Sequence, residues 1–241
     1  MARKHVVVQL ANRATADVIR SKLQTSLGSP PSASSSGELV IQTQASRQAL
    51  TLATVVLAFD ADADARSVLV QVFTTKTLPL ELREWIWSLF LSNMQELYEA
   101  SHDGFDPEAK RRELFEPTSR FFVARSHSNK GDQESSLLGY VIYRYDTEET
   151  SGTEDADVVY CYELQLEERS RRQGVGTLLM DLLFQTAKDF RMDKVMLTVF
   201  KSNKNAVAFY ERTGHATDEL DPSCFGRHDA DYRIMSRACS K

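Results

Sequence analysis

Residues 160–190 hold the most restrictive pattern in the chain. The strand-like run Tyr160-Cys161-Tyr162-Glu163-Leu164-Gln165-Leu166 leads through a basic turn, with Arg169, Arg171 and Arg172, into Gln173-Gly174-Val175-Gly176. From there Val175, Leu178, Leu179, Leu182, Leu183, Ala187 and Phe190 recur at helical spacing, which predicts strand, turn, helix. A helix that opens on such a turn has first N–H groups without intrahelical partners, and glycine lets the backbone approach what it faces. With Arg171 and Arg172 adjacent, this is an anion site suited to a pyrophosphate. A dinucleotide fingerprint needs a third glycine at position 179, which is Leu179, and a P-loop needs Gly-Lys-Ser/Thr, which is absent.

The flanking patterns predict a mixed α/β protein. Leu82, Trp85, Ile86, Leu89, Phe90, Met94, Leu97 and Tyr98 mark a helix after Pro79, and Pro107 suits the first position of a second one. Strands are expected at 120–125, 137–146 and 158–166, with an acidic loop at 147–157 between the last two. After the 174–190 helix come a strand at 194–200, a helix at 203–213 and a final strand at 232–235. The organisation expected is a basic amphipathic helix at 5–26 with a Ser/Pro/Gly linker (residues 1–37), a strand-rich extension (38–75) with strands at 39–43, 50–59 and 68–75, and a main domain (76–238). The first segment reads either as a targeting presequence or as a helix packed on the domain.

Composition narrows the function. Lys plus Arg number 29 against 34 Asp plus Glu, a net charge of −5, the opposite of a nucleic-acid footprint and better suited to a basic partner. No run approaches the roughly 20 apolar residues of a membrane span. Cys161, Cys224 and Cys239 show neither paired nor zinc-ligand spacing, so no disulfide framework and no metal are expected.

The loop Arg171-x-x-Gly174-x-Gly176 after a strand resembles the acetyl-CoA loop of the GNAT acetyltransferases, and Asn203 through Phe209-Tyr210 to Gly214 is similar to that superfamily's next helix. Four blocks, at 93–98, 160–166, 171–176 and 194–201, resemble more closely the NatD-type histone N-alpha-acetyltransferases. The resemblance covers about residues 75–237. It implies a GNAT acyltransferase fold, a mostly antiparallel twisted sheet flanked by helices, with an N-terminal extension. It also implies acetyl-CoA as co-substrate without a metal, and histone N-terminal tails beginning Ser-Gly-Arg-Gly as protein substrate. The ribosome is a further partner it allows, with a monomer in cytoplasm and nucleus.

Carried over residue by residue, it makes Glu163 and Tyr162 catalytic. Tyr98, Asp146, Thr147, Glu148, Tyr160, Tyr162, Thr198 and Tyr232 become substrate-binding. Leu164, Gln165, Leu166, Arg172, Gln173, Gly174, Val175, Gly176, Thr177 and Asn203 become cofactor-binding. Each has a plainer reading. Strand tyrosines pack in cores, acidic loops are usually solvated, and Asn203 suits a helix N-cap. Period-two alternation puts Glu163 on the face opposite Tyr160 and Tyr162, so the catalytic reading requires a β-bulge or a splayed neighbouring strand. Tyr210 stands where many GNAT enzymes keep a tyrosine acid, although NatD-type proteins usually carry phenylalanine there.

The chemistry expected is direct transfer to an α-amine, because no nucleophile-and-base arrangement of Cys or Ser with His stands out. An α-amine of pKa about 7.7–8.0 is already about 10–20% neutral at pH 7, whereas a lysine is under about 0.1%. A modest base such as Glu163 therefore suffices. The rival readings are a GNAT acting on lysine or small amines, and an inactive histone-tail-binding module.

Overall fold

The computed structural model describes residues 4–27, 39–41, 55–57, 67–127 and 135–239. The chain begins with helices α1 (Lys4–Asn12) and α2 (Ala16–Leu27), then the short strands β1 (Leu39–Ile41) and β2 (Val55–Leu57), then β3 (Ser67–Thr74). Helices α3 (Leu80–Glu99) and α4 (Pro107–Leu114) precede β4 (Arg120–His127), β5 (Leu137–Glu148) and β6 (Ala156–Leu166). The rest is α5 (Val175–Asp189), β7 (Lys194–Phe200), α6 (Lys204–Arg212), β8 (Ala216–Thr217) and β9 (Tyr232–Ala238). The linker expected at 28–37, and most of the strands expected at 39–43 and 50–59, lie outside the described residues.

Seven strands form one sheet in the order β3-β4-β5-β6-β7-β9-β8. Every pairing is antiparallel except β6 with β7, and a parallel pair needs a crossover, which α5 supplies. This is the mixed, mostly antiparallel sheet flanked by helices that the sequence predicts. β3 pairs along its whole length with β4, from Ser67 opposite His127 to Thr74 opposite Arg120. The stretch 38–75 thus contributes an edge strand to the same sheet as the main domain.

Strand alternation splits the core in two. Val70, Phe122, Val141, Tyr143 and Val159 meet α1, α2 and α5 on one face, while Phe73, Phe121, Val123, Tyr140 and Ile142 meet α3 and α4 on the other. The apolar stripe of α5 is buried from Val175 to Ala187, as its spacing predicts.

Two expectations need correction. The single helix expected at 5–26 is broken at residues 13–15 into α1 and α2. Arg120, 3% exposed, reaches into that break. Its Nη2 donates to the carbonyls of Asn12 (2.8 Å), Ala11 (3.4 Å) and Ala14 (3.5 Å), acceptors that the end of a helix leaves free. Hydrophobic spacing registers Ala11, Ala14, Ile19 and Leu23 as one buried stripe, but it carries no sign of a side chain arriving from β4. Second, the acidic loop is shorter than expected. Beyond Asp146, where the expected strand ends, Thr147 and Glu148 are also strand residues, paired with Asp157 and Ala156, because ladder pairing with β6 outweighs the weak strand propensity of acidic residues. The two-residue strand β8 is too short to leave a periodic signal.

His215 gives the fold a pH response. It is 4% exposed, its ring lies 5.9 Å from that of Tyr210, and its Nε2 is buried without a hydrogen-bond partner. Burial, then the positive charge of Arg237, pushes its pKa from 6.5 down to about 4. Between those values the unfolded chain binds a proton that the folded chain does not, so stability is complete above that window and declines as pH falls through it. The full loss is of order 3 kcal/mol. Thermal melts followed by circular dichroism should show the melting temperature falling on acidification from about pH 7 to 4.5, with a flatter curve for His215→Leu. Parallel curves would assign the response to other groups.

Candidate active site

The site begins with an irregularity in β6. Opposite β5, Ile142 pairs with Glu163 but its neighbour Tyr143 pairs with Cys161, which leaves Tyr162 as an extra residue, a β-bulge. The bulge resets the alternation. Cys161 and Leu164 face the α5 side, while Tyr162 faces the α3–α4 side, and the Glu163 carboxylate reaches Lys110 of α4 on that same side. The parity problem posed by the sequence is thereby removed.

A second irregularity opens the sheet. β6 and β7 pair only from Val158 opposite Lys194 to Cys161 opposite Leu197. Beyond that, β6 stays with β5 as far as Leu166, and β7 stays with β9 as far as Phe200. The strands part, and a cavity of about 460 Å³ lies at the parting, walled by both strands, α3, α4 and α6.

The base of the cavity is a buried charge cluster. Lys110 Nζ lies 2.8 Å from Glu163 Oε1 and 2.7 Å from Glu113 Oε2, and 5.1 Å from the centre of the Tyr98 ring. Gln165 Nε2 donates to Glu163 Oε2 at 2.9 Å, so both carboxylate oxygens are held. Burial opposes the charge on Lys110, but Glu163, Tyr98 and Glu113 together push its pKa above the usual lysine range. Lys110 is absent from the residues that the sequence singles out. In Glu108-Ala109-Lys110-Arg111-Arg112-Glu113 it looks like one charge on a solvated helix, and the available signal is that it lies one turn before Leu114, which is fully buried.

Aromatic side chains line the walls. The Tyr160 and Thr198 hydroxyls share a hydrogen bond of 2.6 Å across the parting strands, and Tyr98 meets Phe200 edge-on with ring centres 5.0 Å apart. Arg144 lies 3.9 Å from the centre of the Tyr162 ring, donates to Ser119 Oγ at 3.1 Å and to the Glu113 carbonyl. It thereby ties Tyr162 to the end of α4. Burial raises Tyr98 and Tyr160 to about 12, and it raises Tyr210 and Cys161 well above their ordinary values. All four are neutral around pH 7. Glu148 is half-buried in the cavity wall, and burial, then Asp146, raises its pKa.

The anion turn sits where β6 hands over to α5. Gly174 adopts a left-handed φ of 79° and no side chain caps the helix start, so the first N–H groups stay open to a ligand. Arg171 and Arg172 are exposed there, although Arg171 is drawn to α3 by a 2.7 Å bond to Asn93 Oδ1. Gly176 serves packing. A Cβ there would lie 3.3 Å from Leu166 Cδ1 and from Phe209 Cζ.

The structure therefore gathers Tyr98, Glu148, Tyr160, Tyr162, Glu163, Leu164, Gln165, Thr198 and Asn203 in the cavity wall, with Tyr210. Asn203 also caps α6, accepting from the Ala206 N–H at 3.2 Å. Leu166 lies at the end of β6; Arg172, Gln173 and Gly174 form the turn beyond it, and Val175, Gly176 and Thr177 open α5. Asp146, Thr147 and Tyr232 fall outside the wall. Asp146 Oδ1 accepts from the Thr147 N–H at 2.8 Å, and Tyr232 pairs with Phe200 at the far side of β7.

The sequence profile described as "Acetyltransferase (GNAT) family" matches residues 80–215, more than half of the chain, and the chain belongs to that family. It is thus an acyltransferase by family. Its fold is similar to that of Arabidopsis thaliana NAA60, solved with a bisubstrate analogue, at 13% identity and a TM-score of 0.51 over 71% of this chain and 99% of that one. The NatC complex bound to Gag peptide and CoA matches at 13% identity over 72% of this chain and 99% of that one, with a TM-score of 0.49. The paiA N-acetyltransferase from Thermoplasma acidophilum, in complex with coenzyme A, matches at 14% identity over 70% and 98%, with a TM-score of 0.48.

The turn makes a measurable claim. In Gly176→Val the added atoms press on Leu166 and Phe209, and such overpacking costs about 1–3 kcal/mol. We expect CoA affinity by calorimetry to fall about tenfold or more, with a melting temperature lower by about 2–4 °C per kcal/mol. Unchanged affinity in the folded variant would detach the turn from CoA binding.

Proposed function

We propose that this chain is an N-alpha-acetyltransferase of the NatD type, which moves acetyl from acetyl-CoA directly to the terminal amine of proteins beginning Ser-Gly-Arg-Gly, histones foremost. The observation that carries this reading is the Glu163 carboxylate turned by the bulge into an aromatic cleft beside an open anion turn. Histone tails as partners, and residence in cytoplasm and nucleus, follow from that substrate.

Acetyl-CoA, as co-substrate, supplies the acetyl thioester. The Arg172–Thr177 turn would hold its pyrophosphate. The edge of β6 from Leu164 to Leu166, released from β7, offers backbone groups to the pantetheine arm. The terminal amine enters past Tyr98, Tyr160 and Tyr162. As its nitrogen bonds to the acetyl carbon and the C–S bond breaks, with the electron pair leaving on sulfur, the nitrogen's proton passes to Glu163 directly or through water. Backbone N–H groups of the parted strand favour the charge that develops on the carbonyl oxygen. Tyr210, neutral and in the cavity wall, is a candidate to reprotonate the sulfur. Cys161, whose thiol burial keeps protonated, is a poor covalent carrier, which supports direct transfer.

Glu148, with Asp146 behind it, suits the arginine third in the peptide, since a guanidinium pairs with carboxylates through a planar fork. Lysine side chains remain the main rival acceptors for a GNAT enzyme.

Mass spectrometry of a Ser-Gly-Arg-Gly peptide incubated with enzyme and acetyl-CoA should place one acetyl group on the α-amine. Transfer to internal lysines only would favour the rival. Glu163→Gln should cut turnover by about 10²-fold or more while sparing CoA affinity.

Asp146→Asn combined with Glu148→Gln should lower kcat/KM by about tenfold or more on that peptide and change little when its arginine is replaced by alanine. An equal loss on both peptides would make the carboxylates supports of the fold. Because the Glu148 carboxyl titrates above the usual range, and a guanidinium binds its ionised form, KM for the arginine peptide should rise on acidification sooner than for an ordinary carboxylate.

A further inference from the structure

The carboxylate that the proposed reaction needs as a base carries a buried cation. Lys110 places its ammonium 2.8 Å from Glu163 and 2.7 Å from Glu113, with its side chain 10% exposed and that of Glu163 5% exposed. The ring centres of Phe90 and Tyr98 lie 5.4 and 5.1 Å away. Such a contact weakens a base somewhat, yet a carboxylate this deeply buried with no counter-charge favours the neutral acid, which accepts no proton at all.

The groups around the pair leave Lys110 as its counter-charge. From α4 come Lys110 and Glu113, from α3 Tyr98, from β5 Tyr140, from β6 Cys161 and from α6 Tyr210. Tyr98, Tyr140, Cys161 and Tyr210 are neutral near pH 7, and Glu113 is itself negative. Arg144 is committed elsewhere, to Tyr162, Ser119 and the end of α4.

We propose that Lys110 is a positioning residue: its ion pair fixes the Glu163 carboxylate in the cleft and keeps it in the anionic form that can take the proton of the acceptor amine. Glu113 holds the ammonium from the other side and sets its distance. Lys110 exchanges no proton in the transfer step; its contribution is charge and place. The role rests on the reading of Glu163 as the base.

The experiment compares wild type, Lys110→Met and Lys110→Arg. Met fills much of the same space between Phe90 and Tyr98 without charge, and Arg restores the charge. The first readout needs no substrate. Carboxyl-labelled glutamate is followed by ¹³C NMR, with the Glu163 signal assigned by its loss in Glu163→Gln. The second is the pH profile of kcat/KM on the Ser-Gly-Arg-Gly peptide, with CoA affinity by calorimetry as the check of folding. In Lys110→Met we expect the Glu163 midpoint to rise by about one pH unit or more, the acidic limb of the rate to move with it, and activity to recover toward high pH. Lys110→Arg should restore both. An unmoved Glu163 midpoint in folded Lys110→Met, or a rate loss equal at every pH, would overturn the proposal. A midpoint that moves while the acidic limb stays fixed would show that Glu163 is not the base. That result overturns the reading on which the role rests, while leaving the ion pair demonstrated.

Discussion

Everything at the site depends on where strand β6 stops behaving as an ordinary strand. Its pairing with β7 ends at Cys161 opposite Leu197, and at the next residue it bulges against β5. Either irregularity alone would be ineffective. Parting without the bulge would open a cleft with Glu163 turned to the opposite face of the sheet, and the bulge without parting would aim Glu163 into a closed sheet. Occurring together within three residues, they give a cavity and a carboxylate inside it. The lost ladder bonds are offset on the flanks, where β5 stays with β6 past the bulge as far as Leu166 and β9 stays with β7 as far as Phe200.

The two faces of the sheet divide the work. Helices α3 and α4 supply the charge and the aromatic walls, through Tyr98, Lys110 and Glu113, while α5 and α6 supply the open helix start and the cap at Asn203. Arg144 links the first group to β6 by lying over Tyr162 while binding the end of α4. Helix α4 is thereby tied to the cleft at two points, the Lys110 ion pair and this stacked guanidinium.

The sequence made much of this legible, and the reason differs from element to element. Helices α3 and α5 were readable because a long apolar stripe at a 3.6-residue period suits a helix and suits little else. The turn before α5 was readable because glycine at 174 and 176 between arginines and an apolar helix narrows the choices. Alternation even signalled the bulge, since Glu163 and Tyr162 cannot share a face of a regular strand. Lys110 was hidden because a basic residue amid Glu108, Arg111 and Arg112 reads as solvated, its one local sign being the turn it shares with Leu114, and it is buried by the approach of β6 and of Phe90 and Tyr98 from α3. The break between α1 and α2 was hidden for the same reason, since its cause arrives from residue 120. Glu148 read as a loop residue because acidic composition masked the end of β5.

That break has a consequence for the N-terminal helices. Arg120 opens β4, yet apart from a 2.6 Å bond to the Thr118 carbonyl its guanidinium directs its hydrogen bonds to residues 11, 12 and 14, and it lies over the Tyr145 ring at 5.1 Å. Without α1, this cation at the start of β4 would keep the Thr118 carbonyl but lose its acceptors in residues 11 and 12, beside a surface built for contact, lined by Val70, Val72 and Phe122. The first two helices are therefore the plug of a charged well, chemically complementary to what they cover. A shortened chain lacking them would carry an apolar sheet face beside an arginine stripped of most of its acceptors, the kind of surface that draws chains into aggregates.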